Sequence, residues 1–524
     1  MKRFFLSLSL ITYGLCPSIA QNETKIEAED ANYANCELVE DDQYSGGKAL
    51  AMKADNDKIT ITYTAVESGK YTVYVGYDGK WGEKKANFSV NGNISSFQIQ
   101  DKVVGEAEVG TFIMIEGKNT IEITPDWTWY LIDYIRITEG TANSIAFDIS
   151  RAPVDADASE AAQKMYAFLY ENFGQKTISG MMTGDMGSAN GDITQHDDVK
   201  AVYDASGKYP ALVGFDFLFA TGRSENNAWN KDYTSMSVTL AEDLYRRGGI
   251  PAFTWHWRDP SRTTDEFYSD KCTVKIADAL NADGSWNTSS QLYQYFVKDI
   301  HSIADYFLQL QEAGVACIFR PLHEASGGWF WWGRNKDADS FVKLFQLVYD
   351  EMVRVKGVHN VIWVWNADEN DTEWNPGEAY YDIVSADIYN QAGDYSSNYA
   401  SFDKLKALTG GKKIVALSEN GPIPDIDKEF AEDAVWSWWM PWYQTWDGNF
   451  VTQSSKEEWT KCMNDDRVIT LEDLSSGWDA YTGITAPKAA AKHHSQTCYN
   501  LQGQRVTCRG KGLYIIDGKK VINQ

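Results

Sequence analysis

FRPLHEASGGWFWWG, from Phe319 to Gly333, follows an apolar run that begins at Val315. The run reads as a buried strand. It ends in Arg320, His323 and Glu324, groups that seldom share a short segment of core. A Gly-Gly loop then offers Trp329, Phe330, Trp331 and Trp332. Charged groups at a strand's carboxyl end, beside a wall of indoles, imply a site that grips flat apolar faces and moves protons there. Sugar rings have such faces.

On either side of this stretch, apolar runs alternate with helical patterns. The strand-like runs are 177–181, 211–217, 250–257, 316–323, 361–366, 384–389, 413–419 and 434–442, with helical stretches such as 161–172, 340–356 and 402–408 between them. Eight strands separated by helices predict an α/β architecture, a (β/α)8 TIM barrel over 156–487, with insertions near 265–292 and 445–475. Chemistry in such a barrel sits at the carboxyl ends of the strands. The third strand ends in Trp255-His256-Trp257-Arg258-Asp259, the fourth in Arg320, His323 and Glu324, and the fifth in Trp363, Trp365, Asn366 and Asp368. The sixth ends in Asp387, Tyr389 and Asn390, the seventh in Ser418-Glu419-Asn420-Gly421, and the eighth carries Trp436, Trp438, Trp439 and Trp442.

Glu324 and Glu419 thus end near-opposite strands. Cleaving a glycosidic bond needs two carboxyl groups about the anomeric carbon, one protonated and one ionised. A zinc-protease reading of His323-Glu324 fails because residue 327 is Gly where HExxH needs His. The chain has no Gly-x-Ser-x-Gly elbow, phosphate loop or CxxC pair.

Composition narrows the class further. The chain has 524 residues, enough for two or three domains, and 20 tryptophans. Its net charge of −26 speaks against nucleic acid and anionic membranes as partners and suits an uncharged substrate. Residues 1–20 read as a signal peptide: Lys2 and Arg3, the apolar stretch from Phe4 to Leu15, then Ser18-Ile19-Ala20. No later run approaches the ~20 apolar residues of a membrane span. The expected location is therefore outside the cytoplasm: secreted, periplasmic or held at the cell surface. A monomer is the default. Six cysteines follow the leader; Cys317 reads as a core thiol, and Cys498 and Cys508 are close enough in sequence to pair. Among the histidines, His196, His301 and His359 read as surface or loop residues.

Residues 22–139 show short alternating runs at 58–63, 71–77, 87–90 and 120–124, with turn signals at Asn91-Gly92 and Gly117-Lys118-Asn119. This pattern predicts a β-sandwich. Trp81, Trp127 and Trp129 fall in its loops, placed either to stack on sugar or to dock the domain. Residues 140–155 read as a linker or docking strap, and 496–524 as a small β module.

RPLHE (320–324), WFWWG (329–333), SENG (418–421), WHWRDP (255–260) and DIYN (387–390) together resemble glycoside hydrolase family 26, whose best-known members are endo-β-1,4-mannanases. The resemblance implies Glu324 as acid/base, Glu419 as nucleophile, retention of configuration and no catalytic cofactor. It implies that His323 positions sugar and nucleophile and that Tyr389 hydrogen-bonds the nucleophile. With Trp257 and Arg320, the residues His256, Trp329 and Trp442 would line the substrate site. Tyr443 stands where many family mannanases carry Arg, so glycone-side contacts are expected to differ. The expected partners are mannan, glucomannan or galactomannan. Mixed-linkage β-glucan and β-1,3-xylan are alternatives within the family. A non-catalytic glycan-binding surface protein is a third reading, against which the presence of both glutamates speaks.

In the first domain, IEAED (26–30), VNGN (90–93), GKNTIEI (117–123) and LIDYIRI (131–137) resemble a carbohydrate-binding module of family 35. That resemblance implies a structural calcium on Glu27, Glu29 and Asp133. YNLQGQRV (499–506) and GLYIIDGKKVI (512–522) resemble C-terminal sorting modules of type IX secretion.

Overall fold

The computed structural model describes residues 23–66, 69–139, 145–368, 370–443 and 453–474, with short strands between 498 and 523. The leader, the start of the 140–155 linker, the end of the predicted barrel domain at 487 and Cys508 lie outside the described residues.

Eight parallel strands close into a barrel: β1 (Thr177–Met182), β2 (Leu212–Asp216), β3 (Ile250–Trp255), β4 (Cys317–Pro321), β5 (Val361–Asn366), β6 (Ile383–Ile388), β7 (Ile414–Asn420) and β8 (Trp438–Pro441). Closure is made by β8 returning to β1, Ile178 facing Trp438 and Ser179 facing Trp439. A two-residue strand, Val468–Ile469, also pairs with β1. Each predicted strand is present: the second, third, fourth and eighth are trimmed, the fifth is unchanged, and the first, sixth and seventh move by one residue at their ends. The largest change is in β8, where Trp436 is buried but lies before the ladder begins. Parallel strands covered on both faces read as continuous apolar runs, which is why the sequence marks them so clearly.

Alternate residues divide between two packed layers. Ile178, Leu212, Ile250, Ile362, Ile383 and Ile414 share a cluster with Met165, Phe168 and Leu169 of helix Glu160–Asn172, which covers the end where the strands begin. Their neighbours Val213, Phe253, Phe319, Trp363 and Val415 face the surrounding helices. Gly214 belongs inside the barrel because a Cβ there would lie 2.4 Å from Met182 Sδ and 2.7 Å from Met440 Sδ.

Before the barrel, two antiparallel sheets form a sandwich. One has Glu37–Glu40, Lys48–Met52, Tyr130–Glu139, Gly69–Asp78 and Val104–Met114 in that order, with Glu23–Glu27 added along Tyr130–Glu139. The other has Asn32–Ala34, Lys58–Ala65, Gly117–Pro125, Lys84–Val90 and Asn93–Ile99. The sandwich seats on helix Tyr399–Leu408 of the barrel, whose Ala400 belongs to the sandwich core. Ser396 Oγ donates to Gly92 O at 2.8 Å across this seam. The strap after 145 runs along the barrel: Asp148 N–H donates to Gly411 O at 2.9 Å and Val154 N–H to Asp382 Oδ1 at 2.7 Å.

The final segment forms its own antiparallel sheet, with Arg505–Val506, Cys498–Tyr499, Gly512–Ile516 and Lys519–Asn523 in that order. His196 corrects the surface reading: it is fully buried, and its Nδ1 accepts from Asp198 N–H at 3.2 Å at the start of helix Asp197–Ser206.

Candidate active site

Period-two alternation continues past the strand ends and decides which side chains reach the barrel mouth. On β3, Thr254 and His256 follow the inward phase of Ala252, while Trp255 and Trp257 face the helices. Trp257 is therefore not a cleft residue. It is 0% exposed, stacks on Trp255 at 4.1 Å and donates from Nε1 to Asp299 at 2.9 Å. Trp363 and Trp365 are buried outward in the same way.

The wall of indoles also shrinks. Phe330, Trp331 and Trp332 are core. The Trp331 indole donates to Trp257 O at 2.6 Å and the Trp332 indole to His323 O at 2.8 Å, so these rings pin the loop from behind. Trp329 alone of the four is open, at 48% exposed. Its Nε1 donates to Glu324 Oε2 at 2.8 Å. The indole folds back over Gly327, where any Cβ would lie 2.1 Å from the ring.

Glu324 leaves β4 through two left-handed residues, with φ of 54° at Leu322 and 52° at Glu324. Non-glycine residues adopt this region at a cost, and surrounding contacts must hold them there. Here the Glu324 N–H donates to Asn366 Oδ1 at 2.7 Å, tying the turn to β5. Glu419 reaches the mouth by a different route. The β6–β7 register pairs Ala386 with Leu417 but Asp387 with Glu419, so Ser418 is an extra residue on β7. This bulge turns Glu419, which strict alternation would aim outward, toward the site. Ser418 Oγ stays within the barrel, 2.7 Å from Asp387 Oδ1.

One carboxylate oxygen from each of Glu324, Asp387 and Glu419 lies within 4.8 Å of the others. The cation among them is Arg320, buried at 4% exposed, which donates to Asp387 Oδ2 at 2.7 Å and to Glu419 Oε1. Arg320 thus acts beneath the cleft. Tyr389 presents a 44% exposed side chain to solvent while its hydroxyl donates to Glu419 Oε2 at 2.5 Å. Burial, with the Asp387 charge adding, pushes the Glu324 carboxyl up to about 7. Burial and Asp387 also raise Glu419, against Arg320, which holds it down. A proton shared by this group belongs on Glu324: Glu419 receives a guanidinium and a phenol, Glu324 one neutral indole.

His323 is buried beside the pair, its Nε2 3.9 Å from Glu419 Oε1 and 3.2 Å from His256 Nε2. Burial, aided by Arg320 and His256, holds its pKa well down, so it stays neutral. Behind His256 stands Asp216 at the end of β2, 2.6 Å from Nδ1. Trp442 lies across from His256 with ring centroids 5.9 Å apart, and Tyr443 packs against Trp442 at 5.0 Å and covers Gly184. The structure therefore brings together Glu324, Glu419, Arg320, His323, His256, Tyr389, Trp329 and Trp442. From the sequence, Asp387 and Asn366 stand at strand ends without an assigned role, and Asp216 is missed. The inward phase of β6 and β5 gives the first two their place, and Asp216 is marked as the one charge in the apolar run 211–217.

A paired acid site at the mouth of this barrel has counterparts of known sequence. The profile for "Glycosyl hydrolase family 26" matches residues 154–473. The chain belongs to glycosyl hydrolase family 26. It is a glycoside hydrolase, and its residues 24–140 match the profile for "Carbohydrate binding module (family 35)". The family 26 chain is 33% identical over 470 residues to a mannan endo-1,4-beta-mannosidase of Thermothelomyces thermophilus, covering 87% of this chain and 91% of that one. Among solved structures, the Podospora anserina GH26-CBM35 beta-(1,4)-mannanase aligns with a TM-score of 0.57 and 28% identity over 87% of this chain and 99% of that one. A beta-mannanase from a symbiotic protist of the termite Reticulitermes speratus, complexed with gluco-manno-oligosaccharide, aligns with a TM-score of 0.56 and 36% identity over 63% of this chain and 98% of that one.

In the module, Ser45 bridges two of the three predicted calcium ligands, and the third, Glu29, lies beside the neighbouring Gly46. Ser45 N–H donates to Asp133 Oδ1 and Oδ2 at 2.9 and 3.2 Å, and Ser45 Oγ to Glu27 Oε1 at 2.8 Å. Glu27 Oε2 and Glu29 Oε2 are buried with no hydrogen-bond partner. Burial pushes Asp133 up to about 6, with Glu27 and Glu29 adding to it. Orphaned, mutually repelling carboxylate oxygens fit a hard cation.

Proposed function

We propose that this glycoside hydrolase is an exported, retaining endo-β-1,4-mannanase that cleaves internal bonds of mannan, glucomannan or galactomannan. The observation that carries the reaction is the approach of Glu324 and Glu419. Their oxygens come within 4.8 Å, short of the ~6.5–9.5 Å that leaves room for water between two carboxyls in an inverting site. The substrate reading draws on the printed activities of the relatives.

Glu419 attacks the anomeric carbon while Glu324 gives its proton to the departing glycosidic oxygen. The C–O bond breaks with its electron pair on that oxygen, and a glycosyl-enzyme ester forms. Glu324, now ionised, takes a proton from water as the water's oxygen attacks the same carbon and Glu419 leaves. Arg320 and Tyr389 orient Glu419 and steady its charge. His256, Trp329 and Trp442 line the sugar positions. Glu27, Glu29 and Asp133 would hold a calcium ion that ties the first strand of the module to its last.

Reducing-sugar release from linear mannan, galactomannan, glucomannan, β-glucan and xylans tests the substrate. Mannan turnover with an initial β-anomeric product by NMR is the expected result. Turnover of β-glucan or β-1,3-xylan alone would refute the mannan reading, and an α-product would refute retention. For calcium, chelator should lower Tm and added Ca2+ restore it; an unmoved Tm removes the ion.

A further inference from the structure

The cleft at Glu324 has a second wall that does not come from the barrel. Its volume is about 240 Å³, and one side is formed by Glu324, Gly327, Trp329, Asp387 and Tyr389. Facing them are Lys85, Asn87, Ile94 and Ser96, on the edge sheet of the N-terminal module. We propose that this face of the module is a binding subsite of the enzyme, holding the sugar hydroxyls of the polysaccharide segment beyond the scissile bond, on the leaving-group side. The inference rests on the assignment of Glu324 as acid.

The register of the two module strands shows how the face is made. Asn87 stands opposite Ser96 and Ser89 opposite Ile94, so these residues share one side of the sheet. Ala86, Phe88, Val90, Phe97 and Ile99 fall on the other side and fill the sandwich core. The polar side is therefore the outer one, and the docking of the module turns it toward the barrel mouth. Several contacts hold that docking. Among them, Ala400 enters the module core, Gly92 accepts from Ser396, and Lys336 pairs with Glu83 at 3.0 Å. Lys336 ends the loop that carries Trp329, and Glu83 immediately precedes the strand that carries Lys85 and Asn87.

The side of the cleft follows from the chemistry. The acid must touch the departing oxygen, so the sugar carrying that oxygen lies against Glu324 and its indole partner Trp329. The next sugars continue outward between Trp329 and the module. The groups waiting there suit a neutral polyol. The Asn87 amide offers donors and an acceptor, with one N–H already given to Pro125 O at 3.3 Å. Ser96 can donate or accept, and Lys85 donates. Beyond Lys85, whose carbonyl accepts from Trp127 N–H at 3.1 Å, the Trp127 ring is 59% exposed, a further flat surface for a sugar.

The test uses the full chain with Asn87→Ala/Ser96→Ala, and separately Asn87→Gln as the conservative change and Asn87→Trp to fill the cleft. Each is assayed on mannohexaose labelled with 18O at the reducing end and on an aryl β-mannobioside, whose leaving group stops short of the module. We expect the ratio of hexaose to aryl-glycoside kcat/KM to fall about tenfold in the double variant, the loss of two neutral hydrogen bonds. It should fall further with Asn87→Trp and partly recover with Asn87→Gln. Cleavage of the hexaose should move toward its reducing end, because fewer sugars are held past the scissile bond. An unchanged ratio and an unchanged cleavage position would overturn the proposal, as would equal losses on both substrates. Should the wild-type chain accept β-glucan in place of mannan, the corresponding glucan hexaose and aryl glycoside carry the same comparison, so a wrong substrate and a wrong wall give different results.

Discussion

The two ends of the barrel solve opposite problems with the same strands. Where the strands begin, inward positions hold isoleucines and leucine, closed over by Met165, Phe168 and Leu169. Where they finish, the inward positions hold Thr254, Arg320, Asn366 and Asp387, with His256 and Glu419 just above. Burying so many ionisable groups together costs free energy that pairing only partly returns. The apolar end supplies cohesion and the polar end spends it on a rigid constellation. If that division is real, substitutions at the two ends should separate stability from chemistry.

The sharpest break lies at Glu419. Glu419→Ala should lower kcat by at least about 10⁴-fold, in the range seen when a nucleophile is removed, with the fold intact by circular dichroism. Near wild-type turnover in a folded variant would take Glu419 out of the mechanism. Next comes Glu324→Ala, with a loss of about 10²–10⁴-fold on mannan and a far smaller loss in the first step on aryl glycosides that need no acid. Equal losses on both would deny it the acid role. The same proton sets a pH limb. Glu324 is pushed up and acts in its protonated form, so kcat/KM on mannan should fall as pH rises through about 7 and the aryl-glycoside burst should not. A limb of identical position on both substrates would assign it to another group.

Smaller in its effect on chemistry is Arg320→Met, which leaves Asp387 and Glu419 facing each other without their shared cation. It should cost about 3–5 kcal/mol of stability by denaturant titration and also depress kcat. At the opposite end, Leu169→Ala opens a cavity beneath the barrel and should cost about 2–5 kcal/mol while kcat/KM stays at the wild-type value below the new Tm. Parallel losses of activity in Leu169→Ala would show that the two ends are not separable.

Much of this division can be read in the chain, because fully buried parallel strands leave unbroken apolar runs and the charged residues that interrupt them stand out. Glu324, Glu419, Arg320 and His323 are visible for that reason. What composition hides is phase. A tryptophan beside His256 and a tryptophan beside Glu324 look alike in sequence, yet Trp257 faces the helices and Trp329 faces the cleft. Alternation from Ala252 would have settled Trp257, whereas the fate of Trp331 and Trp332 depends on how a loop folds back. The module's polar face was illegible for another cause. Asn87 and Ser96 look like ordinary exposed strand residues until the docking partner is known, and docking is set by distant residues such as Ala400 and Ser396.

The bulge at Ser418 carries a consequence of its own. Glu419 is aimed by the number of residues between Leu417 and itself as much as by any contact it makes. Small replacements at 418 leave that count alone, while deleting Ser418 removes the bulge and, with it, the hydroxyl that sits 2.7 Å from Asp387 Oδ1. For anyone diversifying this enzyme, chain length through 417–420 is the quantity to hold constant, with a small hydroxyl side chain kept at 418 for Asp387.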